Sequence, residues 1–323
     1  MRWRKAVLSG GAALGAAAAY NALAGRDVGP LDNLIGGDEG WFHWRGWRVQ
    51  FTRRGHGPPV LLVHGIHAAA FSYEWRHNVD ALARWYTVYT IDLLGFGRSD
   101  RPNLRYTARL YIGLLSDFAA QVVGQPCVLV ASSLAAAYAI VLGARDPGRF
   151  PALVLVEPTG LVRLHEPAGT GNGVARVVFG TPIVGTALFN SLASRRSIEH
   201  FLRQAYADEG LVTDELVDAY YTAAHQPGAK YAPSAFIAQQ LNIDVRRALR
   251  RLSPPTLLVW GEQAVRAPVE DARGFLVLKP DLELAILDPT GDVPHDERPK
   301  EFNELTRTFL TRLDRRTHAE AGV

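Results

Sequence analysis

The sequence predicts an α/β protein: a mostly parallel central sheet flanked by helices, with an inserted helical segment. Three observations predict it. Short strand-like runs recur at Pro59–Val63, Tyr86–Ile91, Val128–Val130, Ala152–Val156, Pro255–Trp260 and Leu282–Leu287, each bounded by turn residues. The third of these runs passes through a small-x-Ser-x-small pentapeptide, Ala131-Ser132-Ser133-Leu134-Ala135, straight into an Ala-rich helical pattern. Between Gly160 and about Arg251 the strand pattern stops and helical patterns replace it.

In chain order, Arg2, Arg4 and Lys5 precede an uncharged, Ala- and Gly-dominated stretch from Ala6 to Gly25, with a small-x-small site at Ala22-Leu23-Ala24. Residues 1–26 are therefore expected to be a membrane anchor or an export signal, not packed into the rest of the chain. No strand precedes the glycines at 10–15, so they are not a dinucleotide loop. Residues 27–40 form a linker, and Trp41–Arg53 reads as two strands turning at Gly46. Residues 27–160 and 251–315 are expected to form one core in two parts, with 161–250 as a helical cap between them and 316–323 as a tail. Within the cap, Ser197–Tyr206 and Thr213–Tyr221 have helical periodicity, and Thr213 before Asp214 and Glu215 is a helix-start signal.

The pentapeptide has the layout of a nucleophile elbow, in which a sharp strand-to-helix turn lifts the Ser133 hydroxyl above the sheet. Residues two before and two after must be small because strand and helix crowd there; both are Ala here, where Gly is usual. Other motifs stand around it in order: His64-Gly65 ending one strand, Asp92 through Gly95, Gly97, Ser99 and Asp100 after the next, then Trp260-Gly261-Glu262, and Pro294-His295-Asp296-Glu297-Arg298-Pro299. Together these resemble the α/β-hydrolase fold superfamily over about residues 41–313, in its capped, epoxide-hydrolase- or esterase-like form.

That resemblance implies a serine nucleophile at Ser133 and an oxyanion hole made by the backbone N–H groups of Ile66 and Leu134. It also exposes two departures. The triad acid's position is Ala264, and the general-base histidine's position is Asp292. A serine hydroxyl is a poor nucleophile until a base takes its proton, so the proton-transfer apparatus is altered. Five residues could substitute. Asp292 can itself accept a proton, weakly unless burial raises its pKa. Glu157 closes the strand Ala152–Val156, where some family members carry their acid, though a strand-end carboxylate also caps turns. His295 matches a histidine that supports its loop in family members with two, and His67 lies on the oxyanion loop. His165, early in the cap, is the weakest.

Composition fits a folded globular chain of 323 residues, 48% hydrophobic and 21% charged. The net charge of +3 reflects 35 basic against 32 acidic residues, and only four of the basic ones are lysine. Arg246, Arg247, Arg250 and Arg251 read as a solvated helix face, without the aromatic interleaving of a nucleic-acid site. Cys127 stands alone in a strand and reads as core, so no internal disulfide is available. No Cys/His cluster has metal-ligand spacing, and no cofactor is expected. The expected function is hydrolysis of a small or lipid-like ester by Ser133 with a non-standard or missing base. The alternatives are a catalytically silent ligand-binding protein and a non-hydrolytic enzyme, lyase- or oxygenase-like, on the same scaffold. Partners are expected to be a small apolar or ester ligand, no nucleic acid, and a membrane through residues 6–25, with the protein membrane-anchored or exported from the cytoplasm.

Overall fold

Eight strands form one sheet in the order β1-β2-β4-β3-β5-β6-β7-β8 in the computed structural model, which describes residues 2–166 and 177–321, and side chains for 11–166 and 177–315. β1 (Asp38–Trp44) and β2 (Trp47–Arg54) form an antiparallel hairpin, and β2 is antiparallel to β4 (Thr87–Ile91). The remaining pairs are parallel and join β3 (Pro59–Val63), β5 (Val128–Ser132), β6 (Leu153–Val156), β7 (Thr256–Gly261) and β8 (Glu283–Leu287). The hairpin turns through Arg45 and Gly46, both at positive φ (52° and 85°), as a two-residue turn matched to strand twist requires.

The parallel strands are buried on both faces, and their two-residue period divides two cores. Leu61, Val63, Leu129, Ala131, Leu153, Leu155, Leu258 and Trp260 face one core, built with α3 (Ala108–Phe118) and α4 (Ser133–Arg145). Val60, Leu62, Val130, Val154, Val156, Leu257 and Val259 face the other. There they meet α2 (Val79–Leu82) and α11 (Pro299–Ala321), the latter through Phe302, Phe309 and Leu310. Cys127 is buried, and that burial pushes its thiol up to about 12, as suits a core residue.

Between β6 and β7 the described chain carries α5 (Val184–Leu192), α6 (Arg195–Ala205), α7 (Asp214–Ala224), α8 (Tyr231–Ile237) and α9 (Arg246–Arg250). Thr213 caps α7 by accepting from the Leu216 amide at 3.3 Å. Phe189, Tyr206, Leu216 and Tyr220 from this segment pack in a third apolar cluster with Ala69 and Phe71 of the loop after β3. α9 instead packs on α4 and on α10 (Asp271–Leu278), with its arginines outward.

The N-terminal segment corrects one expectation. Residues 2–23 do form a helix, α1 (Arg2–Leu23), ended by Gly25 at φ 74°. Yet α1 is docked: Asn21 Nδ2 donates to the Ile183 carbonyl (2.9 Å) and Asn21 Oδ1 accepts from Asn190 Nδ2 (3.1 Å) on α5. Among the described residues no helix is long and apolar enough to cross a membrane. Ala and Gly contribute too little apolar surface per turn for that, so the spanning-anchor reading of this segment is not supported.

Candidate functional site

The site forms where β3, β5, β6 and β7 end, the edge at which parallel α/β sheets open their loops. β5 ends with Ser132 in extended conformation, and the next residue, Ser133, begins α4 at φ +52°. A non-glycine residue held there costs about 1–3 kcal/mol and persists only where its surroundings enforce it. The surroundings are tight: Ala131 and Ala135 are both fully buried, and the Thr159 amide donates to the Ser133 carbonyl at 3.3 Å. Ser133 itself is half-buried. The Leu134 amide belongs to the first turn of α4, where a helix has no internal acceptor for it and presents positive potential.

The loop after β3 approaches this turn from the side. A Cβ on Gly65 would lie 3.4 Å from Glu74 Oε2, 3.4 Å from Ser132 Oγ and 3.6 Å from Ser133 Cβ, so Gly65 marks the closest approach of loop and elbow. The Gly65 amide donates to Glu74 Oε2 at 2.8 Å. His64 is fully occupied: its Nε2 accepts from the Leu93 amide (3.0 Å), which leaves the proton on Nδ1 to bond the Gly65 carbonyl (2.6 Å). Neither the Ile66 nor the Leu134 amide has an acceptor among the described residues. Two free N–H groups and a strained serine therefore border one small region.

His67 is exposed on the loop after β3, with protein packed around its ring. Desolvation there pushes its imidazole down to about 4, with Glu74 opposing and Arg266 and His64 reinforcing the shift. Its ring lies 5.5 Å from that of Tyr220 of α7, and the Ala69 amide points at Nδ1 from 3.4 Å. Tyr220 also packs edge-on to Phe71 at 5.7 Å, which brings the helical segment over the loop.

Glu74 and Arg266 were not anticipated from the sequence. The signal for Glu74 was a single carboxylate inside the apolar run Ala68–Trp75. It is 5% exposed, and its Oε1 stands 3.3 Å from Nε2 of the fully buried His295, in ion-pair range without hydrogen-bond alignment. Burial raises the Glu74 carboxyl, but His295, His64 and His67 outweigh it and hold it down to about 2. His295 is sandwiched by Trp75 (4.4 Å between ring centroids) and Phe302 (5.8 Å), and its carbonyl accepts from Asn78.

Asp292 turns toward the loop that follows β7. Its Oδ1 accepts from the Val265 and Arg266 amides, each at 2.8 Å, and Arg266 Nη1 stands 3.4 Å from Oδ2. Burial raises its pKa, with those contacts opposing. The carboxylate thus closes the segment around Ala264 by bonding backbone. Glu157, at φ +44°, is buried at the end of β6, where its Oε1 accepts from the Gly261 amide at 3.1 Å. Burial and the nearby Asp292 charge push its carboxyl well above the usual carboxylate range. Glu297 holds the same region by accepting from the Gly291 (2.6 Å), Ala207 (2.8 Å) and Asp208 (3.1 Å) amides.

Ser133 and Leu134 form the elbow, Gly65 abuts it, Ile66 and His67 follow on the same loop, and Glu74 and His295 are buried beneath that loop. Glu157 and Asp292 sit together at the ends of β6 and β8. His165 stands apart, 3.9 Å from Glu166. Among the described residues no group of three or more His, Cys, Asp or Glu side chains is arranged to hold a metal ion.

Comparison with known proteins agrees with this architecture. The chain is 29% identical over 286 residues to 2-hydroxy-6-oxo-6-(2'-aminophenyl)hexa-2,4-dienoic acid hydrolase of Metapseudomonas resinovorans, covering 85% of this chain and 92% of that one. It is 28% identical over 270 residues to pimeloyl-[acyl-carrier protein] methyl ester esterase of Aeromonas salmonicida, covering 81% and 99%. Among solved structures, a serine hydrolase involved in carbazole degradation superposes with a TM-score of 0.71 at 27% identity, over 84% of this chain and 98% of that one. The sequence profile of the alpha/beta hydrolase family matches residues 60–305, about three quarters of the chain, and the protein belongs to that family.

Proposed function

We propose that the protein is a slow serine hydrolase of an ester or related carbonyl compound, in which Ser133 attacks and the Ile66 and Leu134 amides receive the oxyanion. The observation that carries this reading is the backbone of Ser133, held at φ +52° beside two amides without acceptors. Strain of that kind has no role in a packing serine and aims a nucleophile. The helices of residues 177–250 act as the cap, with Tyr220 and Phe71 giving the pocket an apolar wall.

Turnover is slow because no base matches a triad imidazole. Asp292 is committed to the Val265 and Arg266 amides. His67, on the loop beside Gly65, is a weak base at about 4. Losing the base of a triad typically leaves about 10³–10⁴-fold acceleration over water, supplied by binding and the oxyanion hole. The relatives named as a dienoic acid hydrolase and a methyl ester esterase support a carbonyl substrate.

The test is trapping. Incubation with a fluorophosphonate, or with an activated ester such as p-nitrophenyl butyrate, should add one phosphonyl or acyl group to Ser133, read by intact mass and peptide mapping. Ser133→Ala should carry none. An unmodified Ser133, with equal ester hydrolysis by wild type and Ser133→Ala, would sink the proposal. The commitment of Asp292 to backbone favours a second reading, a capped protein that binds an apolar ligand without turnover. Saturable binding of an ester with no adduct would support it.

A further inference from the structure

We propose that the cleft between α3, the end of α4 and the β1–β2 turn is a second ligand site, which takes a small organic phosphate ester. The cleft encloses about 450 Å³, within the range of small-ligand sites. It runs along α3, where Arg109, Ile112, Gly113 and Ser116 line it at i, i+3, i+4 and i+7, one face of that helix. Leu142 and Arg145 bound it from α4, and Arg45 bounds it from the hairpin turn. Since α4 starts at Ser133, Arg145 stands about 18 Å along that helix from the elbow, and the two sites are separate.

Three residues here are poor choices for their local backbone, and each shapes the cleft. Arg45 holds φ 52° at the first position of a two-residue hairpin turn, where Asn, Asp or Gly is favoured. Its guanidinium stacks over Trp44 at 4.5 Å and lies beside Gly113. Arg109 puts a cation in the first turn of α3, at the positive end of a helix that has no acidic residue there. Gly113 sits inside the same helix, where glycine is unfavourable. Neither a positive φ nor crowding requires it: a Cβ there would meet only Arg45 Nη2 and Trp44 Cζ2, both at 3.9 Å. What the glycine supplies is an open floor. Local rules broken together at one place mark a functional surface.

The positive charge is unmatched. Arg45, Arg109 and Arg145 have no carboxylate partner among the described residues. Both aspartates of the lining are committed elsewhere. Asp117 Oδ2 accepts from Trp44 Nε1 at 2.7 Å. Asp146 Oδ1 accepts from the Arg149 amide at 3.0 Å, with Oδ2 3.4 Å from Arg149 Nε. Guanidiniums from three elements suit a tetrahedral dianion, which accepts paired N–H donors on several sides; a carboxylate offers one planar edge that a single arginine satisfies. Leu110, Ile112 and Leu142 give the organic part of the ester an apolar bed.

Calorimetric titration of the full-length protein with phenyl phosphate tests this, with benzoate as the carboxylate comparison. Phenyl phosphate should bind saturably, and benzoate roughly tenfold more weakly. Arg109→Gln should weaken phenyl phosphate by roughly tenfold or more without lowering the thermal melt, since it removes a cation from the positive end of α3. Gly113→Leu keeps all three arginines, fills the floor, and should abolish binding while raising the melt. Labelling of Ser133 should be unchanged in both variants, so this test and that of the hydrolase reading are scored separately. No saturable binding to wild type, binding by either variant equal to wild type, or benzoate as tight as phenyl phosphate would overturn the proposal.

Discussion

Replacing Glu74 by glutamine isolates the charge beneath the oxyanion loop. The amide keeps an oxygen to accept from Gly65 N (2.8 Å in the native protein) and nearly the same volume, but removes the partner 3.3 Å from His295 Nε2. A carboxyl held at about 2 in place of 4.5 corresponds to about 3 kcal/mol of folding stability at neutral pH. The sign fixes the pH window. A depressed carboxylate stabilises the fold fully above the unfolded value of 4.5, and the contribution is lost as pH falls toward about 2. Glu74→Gln should therefore be about 3 kcal/mol less stable than wild type in urea at pH 7, with the gap closing below about pH 4.5. Because Gly65 abuts Ser132 and Ser133, labelling of Ser133 should slow as well. A loss under about 1 kcal/mol at pH 7, or a gap constant from pH 7 to pH 3, would refute a Glu74 carboxyl held below its usual range.

Other expectations follow from single contacts. Ser133→Gly should relieve the φ +52° strain and raise stability by about 1 kcal/mol in thermal melts while abolishing adduct formation. Asp292→Ala removes the acceptor of the Val265 and Arg266 amides, which water can reach at these exposed residues, and should cost about 1 kcal/mol, whereas Asp292→His with Ala264→Asp should raise esterase turnover. Gly97→Ala places a methyl 2.3 Å from Asp92 Cγ at φ 51°, so a sharp drop in melting temperature is expected. His67, held neutral at about 4 in the fold against 6.5 unfolded, makes the folded state lose stability as pH falls from about 6.5 toward 4. Its NMR-observed imidazole should stay neutral at pH 5.5.

Much of the architecture was legible in residue order. Apolar runs of strand length gave the parallel strands, Gly46 the hairpin turn, Thr213 a helix start, and the small residues 131 and 135 the crowded turn at Ser133. These features are local, set by side-chain size, φ preference and periodicity within a few residues. Asp292 and Ala264 were likewise visible as substitutions at positions of known role. Their consequence was not, because it depends on where a carboxylate points once distant segments meet. Asp292 reaches backbone amides 26 and 27 residues away, and Glu157 accepts from an amide 104 residues on. Glu74 is paired with an imidazole from the far end of the chain. The docking of α1 on α5 through Asn21, across 162 residues, was of the same kind. Sequence determined the strands, the turn and the strained serine, because short-range sterics govern them. The tertiary structure alone decided which buried charges meet, because burial and partner distance set both the cost and the protonation of an ionisable group.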